Sequence, residues 1–190
     1  MGDSMNNSIV LMGLKHCGKT TQGTLLAKEL SIPFFDTDSV IEEIVGMPFR
    51  KYYSEKGPAA FYLAEEEACS KIYSEHPEER IVVATGGGVC DNAPALNILR
   101  NLGKFVFLRL DIQYSVMRIM AKIKASPFGG FDGAPAWVMA ENPKSMNDIQ
   151  EIIMARFKAR NEQYQNIADI IVDIKNAPKE TNFQAILGAV

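Results

Sequence analysis

Gly13-Leu14-Lys15-His16-Cys17-Gly18-Lys19-Thr20 sets two glycines, a lysine and a hydroxyl at the spacing GxxxxGK[ST], directly behind the apolar run Ser8-Ile9-Val10-Leu11-Met12. Glycines let the backbone wrap a phosphate with successive N–H groups pointing inward, and a helix over Thr20 to Leu30 would add the positive end of its dipole. Lys19 supplies a full charge that can follow the β- and γ-phosphates during transfer. The Thr20 hydroxyl is placed to ligate Mg²⁺ held on the same oxygens. Nucleotide phosphate is the implied ligand. Lys15, His16 and Cys17 are bulky for such a loop and read as positions that contribute backbone N–H groups, with Cys17 oxidation-prone beside Lys19.

Two further clusters carry chemistry. Asp36-Thr37-Asp38 follows the apolar run Pro33 to Phe35, so its carboxylates are expected at the same sheet edge as the phosphate loop. One carboxylate there can hold Mg²⁺ through water, and the other can take a proton from an attacking hydroxyl. The competing reading is structural, an N-cap at Asp38-Ser39 for the apolar helical run that follows. Thr85-Gly86-Gly87-Gly88 follows Ile81 to Ala84. Three consecutive glycines lose much backbone entropy on folding, which suits a place where a substrate hydroxyl or carboxylate approaches backbone N–H groups closely; a plain flexible turn is the alternative.

The elements that must position these clusters follow from hydrophobic patterning. Five short apolar runs, Ile9 to Met12, Pro33 to Phe35, Ile81 to Ala84, Phe105 to Leu108 and Ile170 to Val172, alternate with helical patterns. That order predicts an α/β fold with a parallel sheet covered on both faces, and ligands at the carboxyl ends of its strands. The intervals Asp38 to Glu79 and Asp111 to Asp169 are too long for plain crossovers. The first contains the helix-favouring Ala59 to Ala68, whose acidic triplet Glu65-Glu66-Glu67 reads as a solvated face. The second contains a Pro/Gly-rich loop, Ala125 to Pro135, of the kind that closes over nucleotides, ahead of a helix over Asn147 to Gln165.

Bulk properties narrow the classes further. At 190 residues and 47% hydrophobic, the chain suits one well-filled domain. A net charge of −3 argues against a nucleic-acid footprint and requires positive charge to be focused locally. No apolar stretch approaches a membrane span, and the start of the chain lacks a signal-peptide pattern, so a cytoplasmic protein with no membrane partner is expected, as a monomer. Three cysteines without metal-site spacing, Cys17, Cys69 and Cys90, suit free thiols in a reducing compartment. Met1-Gly2-Asp3-Ser4 carries no structural expectation.

The loop at 13–20, Phe35-Asp36-Thr37-Asp38 and Val83-Ala84-Thr85-Gly86-Gly87-Gly88, in that order, resemble the shikimate kinase family, small P-loop kinases of the nucleoside monophosphate kinase-like class. The resemblance runs from Ser8 to about Pro178. It implies a three-layer fold with a five-stranded parallel sheet, a substrate-binding helical insertion over about 39–79 and a lid over about 122–145. It also implies transfer of the ATP γ-phosphoryl group to the 3-hydroxyl of shikimate, with Mg²⁺. On the matching positions, Gly13, Lys15, His16, Cys17, Gly18, Lys19, Thr20 and Thr21 fall in the ATP site, with Thr20 and Asp36 toward the metal. Lys19 and Asp38 match the catalytic pair, and Asp38, Gly86, Gly87, Gly88 and Arg160 match the acceptor site, Arg160 facing its carboxylate. Arg118 and Pro178 fall where the family sandwiches adenine.

Glu162-Gln163 stands where the family has Pro-Leu before the tyrosine, and two further departures each remove a guanidinium. Tyr62 stands where a second carboxylate-binding arginine belongs, and Ser126 stands where a lid arginine normally reaches the phosphates. Lys122 and Lys124 from the lid, and Arg50, Lys51 or Tyr62 from the substrate side, are the candidates for compensation, although a lysine replaces charge without the fork geometry. Two other functions therefore stay open: a kinase of another polyol or sugar acid such as gluconate, and a nucleotide-binding relative with weakened catalysis.

Overall fold

The computed structural model describes residues 7–127 and 130–190. Met1 to Ser4, and Phe128-Gly129 of the expected lid loop, lie outside the described residues. Strand β1 (Ser8–Met12) leads into helix α1 (Lys19–Leu30), and β2 (Phe34–Asp36) leads into α2 (Thr37–Val45) and the long α3 (Phe49–Glu75). The chain then forms β3 (Val82–Ala84), α4 (Ala93–Leu102), β4 (Gly103–Leu110) and α5 (Ile112–Met120). A two-stranded antiparallel hairpin of β5 (Lys124–Ala125) and β6 (Phe131–Asp132), with the short α6 (Ala136–Met139), precedes α7 (Met146–Ile167), β7 (Ile170–Ile174) and α8 (Lys179–Leu187).

The main sheet has the order β2-β3-β1-β4-β7 and every pairing in it is parallel. Its strands are short and apolar because both faces are covered. Val10, Met12, Val83, Phe105 and Phe107 face a core built with α2, α3, α4, α5 and α7. The alternate residues Ile9, Leu11, Val82, Val106 and Leu108 face α1 and α8. The five expected strands are all present, and β4 and β7 run longer than their most apolar segments. This α/β sheet puts the ends of β1, β2 and β3 side by side, which delivers the three chemistry-bearing clusters to one edge.

Helix α3 is interrupted at Gly57, which takes φ 81° and ψ 176°, just before Pro58. A side chain would be strained in that conformation, and the proline has no N–H to extend the preceding turn. The break lets 49–56 and 58–75 pack in different directions, so Phe49 and Arg50 overhang the sheet edge while Ala64, Ala68 and Ile72 enter the core. Among the described residues, no helix is long and apolar enough to cross a membrane.

Candidate functional site

The loop between β1 and α1 forms the cradle its motif predicts. Gly13 (φ 147°) and Gly18 (φ 97°) turn the chain, and His16 adopts φ 68°, a left-handed conformation that is uncommon for a bulky side chain. A Cβ on Gly13 would lie 2.7 Å from the Leu108 carbonyl oxygen, so β4 leaves no room for a side chain there. Lys19 folds back over the loop and donates to the carbonyls of Gly13 (2.8 Å) and Leu14 (3.1 Å). Buried to 8% exposure, its ammonium is held at the centre of the cradle. Lys15, His16, Gly18, Lys19, Thr20 and Thr21 line a cavity of about 280 Å³ together with Asp36, Asp38, Arg50 and Gly87.

The loop cysteine departs from expectation. The Cys17 N–H is spent on the Leu14 carbonyl at 3.3 Å, and its thiol is only 3% exposed, packed in the core against α1 and the sheet. It therefore shapes the loop from behind, and oxidants have little access to it. Positive charge is focused here as the overall negative balance required. Burial, and then Arg50, pull the Lys15 ammonium down to about 8. Burial and the neighbouring Lys122 pull the His16 imidazole down to about 4, so the ring is neutral at pH 7.

The carboxylates after β2 divide their work. Asp36 accepts from the Thr20 hydroxyl at 2.7 Å through Oδ2 and from the Asp38 N–H at 3.0 Å through Oδ1. Asp36, and not Asp38, is thus the N-cap of α2, and Asp38 lines the cavity. Burial first, and then the charge of Asp36, raise the Asp38 carboxyl to about 6, against the opposing pull of Lys19, Lys15 and Arg50. Among the described residues, no group of three His, Cys, Asp or Glu side chains converges to cage a metal. The Thr20–Asp36 pair is a hard-oxygen donor set at the cradle mouth, which suits a Mg²⁺ shared with phosphate oxygens and water.

The glycines after β3 serve close approach more than donation. The Gly86 N–H is already taken by the Thr37 hydroxyl at 3.0 Å, which corrects its expected role as a free donor to substrate. A Cβ on Gly86 would sit 3.0 Å from Asp38 Oδ1 and 3.2 Å from Glu65 Oε1, one on Gly87 would meet the Lys15 backbone N at 2.9 Å, and one on Gly88 would meet Arg160 Nη2 at 2.6 Å. The triplet lets a helix, the phosphate loop and a guanidinium close on one strand end.

These contacts enclose a second cavity of about 710 Å³. Lys15, Asp38, Arg50, Tyr62, Glu65, Gly86, Gly87, Gly88 and Arg160 line it, with the α6 segment around Trp137 as one wall. Arg160 donates to Asp91 Oδ2 from Nε (3.1 Å) and Nη2 (2.7 Å), and to the Gly87 carbonyl from Nη1 (3.1 Å). On the far side of the cradle, Arg118 donates to the His16 carbonyl (2.6 Å) and to Asn176 Oδ1 (2.8 Å). That bridge draws the segment ending at Pro178, the N-cap of α8, toward the loop.

Glu65 overturns the solvated-face reading of the acidic triplet. Glu67 is exposed, but Glu65 is 1% exposed and accepts from Asn92 Nδ2 at 2.9 Å. Burial raises its carboxyl to about 7, with Asp38 adding to the rise and the Asn92 hydrogen bond opposing it. Asp91 and Arg156 pair at 3.6 Å beside the cavity, and no local motif in the sequence marks either of them. Of the compensating candidates, Arg50 lines both cavities and Tyr62 the larger one. Lys122 Nζ stands 3.5 Å from His16 Nε2 beside the loop. Lys51 pairs with Glu55 at 3.7 Å in the open, and Lys124 is an exposed residue of the hairpin.

Comparison with known proteins bears on this geometry. The family model described as shikimate kinase matches residues 15–190. Shikimate kinase of Moorella thermoacetica is 30% identical over 169 residues, covering 89% of this chain and 86% of the relative. The crystal structure of shikimate kinase from Aquifex aeolicus superposes with a TM-score of 0.69 at 26% identity, over 95% of this chain and 94% of that one. Shikimate kinase from Acinetobacter baumannii in complex with shikimate has a TM-score of 0.73 at 23% identity, over 97% and 92% of the two chains, a likeness of fold.

Proposed function

The chain belongs to the shikimate kinase family, and from that premise we propose that it transfers the γ-phosphoryl group of ATP to the 3-hydroxyl of shikimate. One observation carries the reading: the phosphate cradle and the larger cavity share Lys15, Asp38, Phe49, Arg50 and Gly87, so donor and acceptor would meet at the Asp38 carboxylate.

In this reading Lys19 leaves the Gly13 and Leu14 carbonyls for the β- and γ-phosphates, while the loop N–H groups and the α1 dipole hold the phosphate tail. Arg118 and Pro178 flank the adenine. Thr20 and Asp36 would hold Mg²⁺, which when bound offsets charge on the phosphate oxygens. Arg160 receives the acceptor carboxylate. The acceptor hydroxyl oxygen forms the new bond to phosphorus as its proton passes to Asp38, and ADP departs with the electrons of the broken bond. With its carboxyl near 6, Asp38 is ionised at neutral pH yet more basic than an ordinary carboxylate, which suits that proton transfer. The segments 39–79 and 122–145 are assigned to acceptor binding and to the lid.

The test is ADP release from purified protein with shikimate, gluconate and quinate. Shikimate should be preferred. Turnover of gluconate without shikimate would reassign the acceptor, and ATP binding without turnover of any of them would leave a nucleotide-binding protein.

A further inference from the structure

Four cations line the larger cavity: Lys15, Arg50, Arg156 and Arg160. The first two also line the phosphate cradle and face the charge of the nucleotide. The other two stand one helical turn apart on α7, on one face of the helix. Both point at the same atom: Asp91 Oδ2 lies 2.7 Å from Arg160 Nη2 and 3.6 Å from Arg156 Nη2.

The two arginines are not equally engaged. Arg160 spends three donors on Asp91 and the Gly87 carbonyl. Arg156 donates no hydrogen bond among the described residues and its side chain is 33% exposed, so its fork is open toward the cavity. Its guanidinium lies over the Trp137 ring at 4.8 Å, which orients the plane without occupying the in-plane donors. Two guanidiniums and one aspartate leave a net charge of +1 in a partly enclosed space, which an acceptor carboxylate would cancel. Tyr62 lies in the field of this same cluster, with Asp91, Arg156 and Arg160 all acting on its hydroxyl. Arg156 thus reaches, from α7, the neighbourhood that residue 62 faces from α3.

Building on the kinase reading above, we infer that Arg156 is a specificity-determining residue, forming with Arg160 a two-guanidinium clamp for the acceptor carboxylate that Asp91 aligns and Trp137 steadies. Arg156 supplies from α7 the second cation that Tyr62 does not supply from α3, and a fork-to-carboxylate contact gives it both charge and direction.

The test compares kcat and KM for shikimate and for its neutral methyl ester in the wild type, Arg156→Ala and Arg156→Lys. Arg156→Ala should raise KM for shikimate about 10- to 100-fold, leave KM for the ester and for ATP unchanged, and so erase the preference for the acid. Arg156→Lys should recover part of that preference. Trp137 is the single tryptophan of the chain, so its emission reads binding without turnover; the midpoint of a shikimate titration should move with KM. An unchanged KM for shikimate, or equal losses for acid and ester, would overturn the clamp, the second by revealing a packing role against Trp137. If the wild type turns over a different hydroxy acid, the choice of shikimate fails, and the acid-to-ester ratio on that substrate still decides the clamp.

Discussion

Replacing Glu65 by Gln isolates the consequence of burying a carboxyl in the larger cavity. The side chain keeps its size and a carbonyl oxygen to accept from Asn92 Nδ2, exchanges its other oxygen for an NH2, and can no longer ionise. The groups facing Glu65 are Asp38 from α2, Asn92 ahead of α4, Asp91 from the turn before it, and Arg160 from α7; burial dominates, and the carboxyl rises from the usual 4.5 to about 7. A raised folded value means that stability is fully present below about 4.5 and is lost as pH rises through about 7. At about 1.4 kcal/mol per factor of ten in proton affinity, the wild type forfeits at most about 3 kcal/mol by pH 8.5. The variant forfeits none of it. A chain of this size gains about 2–4 °C per kcal/mol, so Glu65→Gln should melt about 6–12 °C above the wild type at pH 8.5 and at the same temperature at pH 4.

Calorimetric unfolding at the two pH values gives the difference directly. The acid limb of kcat/KM should stay near pH 6 in both proteins, because Glu65 is still protonated where Asp38 ionises. A melting gain that is the same at both pH values would refute the reasoning, since it would come from packing and not from charge.

Two further outcomes follow from the site. Gly88→Ala would put a methyl group 2.6 Å from Arg160 Nη2, and because Asp91 and the Gly87 carbonyl hold that guanidinium, KM for shikimate should rise about tenfold with KM for ATP unchanged. Equal effects on both constants would show that the strand end, and not Arg160, had moved. Lys19→Ala and Asp38→Asn should each lower turnover by about 10³-fold while leaving the fold intact by circular dichroism, and turnover near wild type in either would contradict the roles assigned.

Much of this molecule is legible along the chain because the signals are local. The cradle closes within eight residues, so Gly13, Gly18, Lys19 and Thr20 carry its geometry in their own spacing, and the apolar runs mark the five strands of the sheet. The clusters at 36–38 and 86–88 inherit their placement from strands β2 and β3, whose carboxyl ends must lie beside β1 in a parallel sheet. Local spacing does not say which of three successive glutamates turns inward. A helix advances about 100° per residue, and only the packing of α3 against α2 and α4 sends Glu65 into the cavity and Glu67 to solvent. Nor does it say that the Gly86 N–H is consumed by Thr37, or that Asp91 draws Arg156 and Arg160 together across more than sixty residues of chain. Burial and charge pairing are sums over neighbours that are distant in sequence. The reactive groups are therefore written in the chain, while their protonation and their partners exist only after the helices close over the sheet edge.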